Sequence, residues 1–294
     1  MIESRRDKIT EIIMKIYLIL LVAFCLYPIL MAIGVSFSDE SEITKYGYSL
    51  IPRKFSVDAY RYLFASSLER ILRSYLVTIF ITLAGTALAM LITTLFAYAL
   101  SVRDFKARNI FSFIAYFTMV FSSGMLPWYL VCVNYYHLSN TLAALILPAC
   151  FNVWYCFLLR NFFKSVPFEI TEAARIDGAG HFTIFFKVVL PMAKAGLASI
   201  ALFYALGYWN DWYNALMFIK KQEMQPLQYM LYNVLSNAQF FSSEAASKLP
   251  VNFIVPKETV KMAITCVTIG PISLLYPFVQ RFFVKGITVG AVKG

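Results

Sequence analysis

Long apolar runs alternate with short polar segments along most of this 294-residue chain. A helix needs about 20 largely apolar residues to cross a bilayer. Residues 109–159 contain no Asp, Glu, Lys or Arg, which leaves room for two such helices with a polar turn between them. The pattern therefore predicts an all-α integral membrane protein with six transmembrane helices, at about 13–37, 75–101, 109–133, 140–160, 195–219 and 262–284.

Composition supports a membrane location and excludes some other classes. The chain is 60% hydrophobic and 14% charged, with a mean hydropathy of +0.67, far from the values of soluble domains. The net charge of +10 is not gathered into a basic stripe or domain, so nucleic acid is not an expected partner, whereas membrane lipid is. The first apolar run stays uncharged from Ile16 to Ser38, which is too long for a signal peptide and predicts an uncleaved span.

Lysine and arginine set the predicted orientation, because the loops that carry more of them stay in the cytoplasm. With the N-terminus inside, 15 of the 26 basic residues lie on the cytoplasmic side. We therefore expect a multi-pass plasma-membrane protein with both termini and the 161–194 loop in the cytoplasm. The whole chain, 1–294, is predicted to be one integral membrane domain with its core at about 70–284.

The segment 165–191 interrupts this apolar chain with carboxylates and two short amphipathic pieces. Ser165, Pro167 and Glu169 are typical of a helix start, and Asp177-Gly178 is typical of a helix end. A second piece runs from His181 to Leu190. Two interpretations remain open from the residues alone: an amphipathic loop lying on the inner leaflet, or a surface that docks a basic partner.

The spacing in this segment resembles a known motif. Glu172-Ala173-Ala174, three residues, Gly178, nine residues and then Val188-x-Leu190-Pro191 is similar to the EAA loop of ABC importer permeases, which has Ile at the position of Val188. FSVDAYRYLF at 55–64, YWNDWYN at 208–214 and YPFVQRFFVKGITVGAVKG at 276–294 resemble the oligosaccharide and polysaccharide branch of the carbohydrate, maltose-type permeases.

The resemblance implies a coupling helix between transmembrane helices 4 and 5 that seats in a cytoplasmic ATPase. The residues that it assigns to this contact are Glu172, Ala173, Ala174, Asp177, Gly178, Leu190 and Pro191. It also implies that the C-terminal tail touches the ATPase pair through Gly286, Gly290 and Lys293. The chain has no GxxxxGK[ST] motif, so ATP and Mg²⁺ are expected on the ATPase and no cofactor or metal on this chain. The implied partners are a second homologous permease, two cytoplasmic ATPase subunits and an extracellular sugar-binding protein.

The fifth predicted span carries polar residues that suggest a sugar pathway. Taken as one continuous helix, it would place Tyr204, Asn210, Asp211 and Asn214 on one face, pointing away from lipid. Amide and carboxylate groups supply the donors and acceptors that hydroxyl-rich ligands need. Trp209 and Trp212 flank this stripe and could face sugar rings or belong to the interfacial aromatic belt. Contacts to neighbouring helices are the alternative for the polar stripe.

The sequence disfavours two other functions. A membrane-embedded enzyme is disfavoured because His137 and His181 lack metal-spaced partners, and Ser122-Ser123-Gly124 has no accompanying base, so no catalytic residue is predicted. An ion-coupled secondary transporter is disfavoured because Asp211 is the only ionisable residue expected deep within a span. The sequence therefore predicts a permease without its own ATPase site, which forms half of a pathway for oligosaccharides or polysaccharide fragments by alternating access.

Overall fold

A computed structural model describes residues 5–236, 258–271 and 273. Over these residues the chain is helical, and the one β feature is an isolated bridge between Ser38 and Phe55. The α-helices are α1 Arg5–Ser36, α2 Glu40–Tyr46, α3 Asp58–Ser101, α4 Arg108–Val120, α5 Met125–Leu130, α6 Ala143–Ile146, α7 Val153–Lys164, α8 Phe168–Ile176, α9 His181–Ile184, α10 Leu190–Met192, α11 Lys194–Trp209, α12 Tyr213–Phe218 and α13 Leu227–Ser236. Residues 258–271 form a further helix.

Two of these helices are long and apolar enough to cross a membrane unbroken, over Lys8–Ser36 and Ser67–Ser101. Three further spans are possible if bent helix pairs are each counted as one. Those pairs bend by 112° between α4 and Met125–Tyr135, by 53° between Ala143–Ala149 and α7, and by 83° between His181–Met192 and α11. The protein is thus an all-helical membrane protein with several candidate spans. Most of the predicted sixth span, 262–284, lies outside the described residues.

The predicted spans at 109–133, 140–160 and 195–219 are not single straight helices. After α4, Phe121 is extended and Gly124 has a φ of 83°, in the left-handed region that glycine tolerates best. The residues 122–124 therefore form a break between two helices. Before α7, the Asn152 side chain accepts a hydrogen bond from the Tyr155 N–H and caps a new helix. Hydropathy sums over a window and does not register such breaks.

The described residues fall into two compact units. One contains residues 5–69, 231–236 and 258–271. In it, Asp39 caps α2 by accepting a hydrogen bond from the Ser41 N–H, and Lys54 pairs with the same carboxylate at 2.6 Å. This ammonium lowers the pKa of Asp39 from its ordinary 3.8 to about 2.

A second carboxylate in this unit organises the start of the 258–271 helix. The two Glu40 oxygens accept hydrogen bonds from the N–H groups of Glu258 and Thr259 at 3.0 Å each, and from the Thr259 hydroxyl at 2.8 Å. The first N–H groups of a helix have no partner within the helix, so a carboxylate there satisfies them and complements the helix dipole. Glu40 therefore joins the 38–57 segment to this helix.

The other unit contains residues 70–230 with residue 273. Its centre is the packing of α3 against α11. The Tyr204 hydroxyl lies 2.7 Å from Thr93 Oγ1 and accepts a hydrogen bond from the Asn152 N–H, while Tyr208 packs against Gly85 of α3. Small residues let membrane helices approach closely, and hydroxyl contacts hold their register. This pairing fixes the position of α11, which lies between the 165–191 segment and the polar residues at 210–214.

Candidate functional site

The short helix α8 carries the motif that resembles the EAA loop, and its start differs from the prediction. Pro167 is the residue before the first turn, and no side chain caps the helix. Ser165 was expected to cap it, but this prediction is wrong. Ser165 is still in a right-handed helical conformation at the end of α7, so its hydroxyl donates back to the Phe162 carbonyl at 2.8 Å.

The end of α8 forms as predicted. Gly178 has a φ of 82°, the Gly178 N–H bonds the Arg175 carbonyl, and the Ala179 N–H bonds the Ala174 carbonyl, each at 2.9 Å. This pair of bonds closes the last turn around a left-handed residue, which is the position where glycine avoids the steric cost of a Cβ. The chain therefore turns sharply after Asp177, and both residues are exposed.

One side of α8 is open and mixes acidic with apolar groups. Glu172, Ala173 and Asp177 are exposed, and Ala174 is half-buried. Beside them Ile176 is 82% exposed. Ile176 is not among the residues predicted from the sequence, although its position four residues after Glu172 places the two side chains on one face. An exposed isoleucine next to a carboxylate and a small residue is a surface suited to burial against a partner protein.

The other side of α8 is tied to the chain beneath it. Arg175 forms an ion pair with Asp104, from the segment that joins α3 to α4. The Arg103 guanidinium lies over the Phe168 ring, 4.4 Å from its centroid. These contacts hold α8 against the ends of the long helices, so a force applied to its open side would reach α3 and α4 directly.

The second amphipathic piece follows α8 and leads into α11. Its inward residues Ile184, Phe185 and Val189 are buried, and the Phe185 ring lies 4.7 Å from that of Tyr98. Leu190 is half-buried and Pro191 exposed, just before the 83° bend into α11. These two residues therefore mark the bend, whereas the other predicted coupling residues lie together in the last turn of α8 and directly after it.

The predicted polar stripe does not lie on one continuous helix. Helix α11 ends at Trp209, and Asn210 folds its amide back to the Leu206 carbonyl at 2.9 Å. Asp211 accepts hydrogen bonds from the Asn214 N–H and amide, and so stabilises the first turn of α12. Side chains of Asn and Asp compete with the backbone for hydrogen bonds, which explains why the helix breaks here.

The break separates buried from accessible members of the predicted pathway. Tyr204 is 4% exposed and Trp209 is 7% exposed, so both are core residues in this conformation. Asn210, Trp212 and Tyr213 are exposed, and the side-chain oxygen Oδ1 of Asn210 accepts a hydrogen bond from the Gln228 side-chain amide at 3.3 Å. Gln228 was not predicted. The accessible groups combine amides with aromatic rings, which is a surface that can bind a hydroxyl-rich ligand.

Two further points concern the C-terminal tail and metal binding. The tail residues Gly286, Gly290 and Lys293 lie outside the described residues. Within the described part of the chain, no group of three or more His, Cys, Asp or Glu is placed to hold a metal ion.

Comparison with known proteins places this architecture in context. Residues 63–289 match the family described as binding-protein-dependent transport system inner membrane component. The chain is 38% identical to the polygalacturonan/rhamnogalacturonan transport system permease protein YtcP of Bacillus subtilis, over 98% of this chain and 100% of that protein. It is 30% identical to the arabinooligosaccharides transport system permease protein AraQ of Halalkalibacterium halodurans, over 91% of each.

A solved structure agrees with these relatives. A chain of a bacterial ABC transporter involved in the import of the acidic polysaccharide alginate superposes with a TM-score of 0.85. It is 31% identical to this chain, and the match covers 96% of this chain and 99% of the other. The chain therefore belongs to the binding-protein-dependent transport system inner membrane components, as a multi-pass permease of an ABC importer in the inner, or plasma, membrane.

Proposed function

We propose that this permease imports oligosaccharides or polysaccharide fragments and forms half of their transmembrane pathway. The observation that carries the substrate class is the similarity along nearly the full chain to permeases whose names specify polygalacturonan, rhamnogalacturonan and arabinooligosaccharides. The alginate importer, described as handling an acidic polysaccharide, supports the same class. The proposed pathway contacts are Asn210, Asp211, Asn214 and Trp212, together with Gln228, whose side-chain amide donates to Asn210.

A component of a binding-protein-dependent ABC system acts with an ATPase and a solute-binding protein. For this chain the proposed assembly is a heterodimer with a second, homologous permease, two cytoplasmic ATPase subunits and an extracellular sugar-binding protein. ATP and Mg²⁺ would bind to the ATPase subunits. The six-span topology, with both termini and α8 in the cytoplasm, completes the proposal.

In this assembly α8 is the coupling helix. Its open side, with Glu172, Ala173 and Ile176, would insert into a cleft of the ATPase, where burial of the isoleucine stabilises the contact. Its opposite side is bound to the α3–α4 segment through Arg175 and Arg103. Closure of the ATPase pair would therefore move α8 and, through these contacts, the ends of the spans. Alternating access follows if the two permeases rock about the shared pathway.

A deletion strain tests the substrate class. It should lose uptake of one or more of a panel of radiolabelled oligogalacturonides, arabino-oligosaccharides and raffinose-type sugars, and the cloned chain should restore it. The uptake should require the binding protein and collapse when ATP is depleted while the proton gradient is maintained. Uptake that follows the proton gradient instead would favour an ion-coupled transporter, and a chemically altered product would favour a membrane enzyme.

A further inference from the structure

A cavity of about 320 Å³ lies behind α8, on the side away from its open face. Residues 168, 171 and 175 of α8 line this cavity, together with the ends of α3 and α7, the start of α4, and Ile184 and Val189. A volume of this size is at the lower end of small-molecule sites. It is therefore large enough for a headgroup-sized ligand.

The charge of this cavity is one-sided. Its lining includes four cations, Arg103, Arg108, Lys164 and Arg175, and no carboxylate among the described residues. Asp104 is not one of the lining residues, and among the described residues it pairs with Arg175. Arg108 and Lys164 belong to different helices that converge here, and each is close enough to feel the charge of the other. Neither forms an ion pair or side-chain hydrogen bond with any described residue. Like charges brought together without a counter-charge repel each other unless an anion lies between them.

The cavity also lies at the level where the apolar helices end. Ser101 is the last residue of α3, Arg108 the first of α4 and Lys164 the last of α7. Phosphate headgroups lie at this depth of a bilayer, and basic pockets between transmembrane helices are typical sites for anionic lipid headgroups. Guanidinium groups match phosphate oxygens in geometry, and lysine adds a point charge.

We propose that this cavity binds a phosphate-bearing anion, with an anionic phospholipid as the source that its depth favours. The phosphate would lie between Arg108 and Lys164 and within reach of Arg103, whose guanidinium stacks on Phe168 at the start of α8. It would thereby join α4, α7 and α8 and fix the orientation of α8. The anion site itself does not depend on the proposed function, but its effect on coupling rests on α8 being the coupling helix.

The test uses the assembled transporter in phosphatidylcholine nanodiscs with increasing mole fractions of phosphatidylglycerol. Native mass spectrometry would count the retained phosphatidylglycerol, and hydrogen exchange of residues 168–176 would report on α8. Arg108→Gln and Lys164→Gln should each raise the mole fraction for half occupancy about fivefold, as expected for one basic residue near the membrane surface. Arg108→Lys should restore most of the binding because the charge is kept.

The matched control is Lys106→Gln, which removes an exposed cation two residues from Arg108 that does not line the cavity. It should bind like the unaltered protein. In a second arm, glycerol 3-phosphate is added to discs that contain phosphatidylcholine alone. Protection of 168–176 by this soluble phosphate, lost in Arg108→Gln, would show that the site takes free phosphate compounds.

Equal phosphatidylglycerol and glycerol phosphate binding by Arg108→Gln, Lys164→Gln and Lys106→Gln would overturn the inference. This outcome would not contradict the proposed function, because ATP-dependent sugar uptake is measured separately. Conversely, lipid binding that depends on Arg108 and Lys164 in a protein without sugar uptake would contradict the proposed function and not the anion site.

Discussion

At the scale of single residues, the candidate coupling surface depends on few side chains. Glu172 is exposed in the isolated chain, next to the small Ala173 and the apolar Ile176. A carboxylate that is exposed alone and buried in a complex leaves its partner's charge unpaired when it is removed. The functional cost of such a change can therefore be large while the fold of this chain is unaffected.

We expect Glu172→Ala to lower ATP-driven sugar uptake about tenfold or more, because removing one member of a buried charged pair at an interface costs about 2–5 kcal/mol. Membrane abundance should be unchanged. Glu169→Ala, which removes an acid from the first turn of the same helix but outside the motif, is the control and should retain most of the uptake. Equal uptake by Glu172→Ala and the unaltered protein would contradict the docking role.

Two glycines of the α3–α11 region allow a matched test of helix packing. A Cβ added at Gly85 would come within 2.6 Å of the Tyr208 ring, whereas a Cβ at Gly207 would meet nothing within 4 Å. The Tyr208 hydroxyl donates to the Ile146 carbonyl at 2.9 Å, so the ring is held from its other end and has little freedom to retreat.

Gly85→Ala should therefore destabilise the protein by about 1–3 kcal/mol, the usual cost of overpacking. Gly207→Ala should be neutral, or stabilising by up to about 1 kcal/mol through helix propensity. Thermal unfolding of the purified transporter in detergent measures both. A Gly85→Ala protein that melts with or above Gly207→Ala would show that α3 and α11 pack differently.

At the scale of helices, the carboxylate of Glu40 decides how one element begins. It satisfies two backbone N–H groups at the start of the 258–271 helix and the Thr259 hydroxyl as well. The donor and acceptor residues are 218 and 219 positions apart, so no local sequence pattern predicts this cap. It functions as an N-cap supplied from a distant segment.

Glu40→Ala should fray this helix and cost about 1–2 kcal/mol, by analogy with the loss of a local N-cap. Hydrogen exchange at 258–262 should become faster. Glu42→Ala removes an acid two residues further along α2 that makes none of these contacts. This variant should leave the exchange unchanged. If Glu40→Ala and Glu42→Ala exchange alike, Glu40 does not cap the helix.

At the scale of the whole molecule, function depends on which face of the membrane each segment meets. The proposed orientation places the 38–57 segment outside and α8 with the piece that follows it inside. A thiol reagent that does not cross membranes can distinguish the two faces in intact cells. The interpretation of α8 as a coupling helix requires that α8 lies on the cytoplasmic side.

In a background without native cysteines, Ile51→Cys should react with the impermeant reagent added outside, because this position is 77% exposed. Thr183→Cys, also exposed, should react only after the membrane is opened. The reverse labelling pattern would invert the topology and remove α8 from the reach of a cytoplasmic ATPase.

The sequence alone determined those features that depend on local chemistry. Apolar runs indicated an all-helical membrane protein because the transfer free energy of each residue depends on its own side chain. Gly178 predicted the end of α8 because glycine adopts the left-handed backbone conformation more readily than other residues. The EAA-like spacing pointed to the family, since it is a linear pattern carried by one short segment.

Tertiary structure decided what depends on residues distant in the chain. The contact between Thr93 and Tyr204 spans 111 positions and buries a tyrosine that had been assigned to the pathway. Helix α11 ends before Asn210 because the side chains of Asn210 and Asp211 form hydrogen bonds with backbone groups there. A hydropathy average over a window does not include this competition. The basic cavity behind α8 collects Arg103, Arg108, Lys164 and Arg175 from separate segments. Their charges are visible in the sequence, but their convergence exists only after α3, α4, α7 and α8 have packed, because electrostatic interaction depends on distance in space.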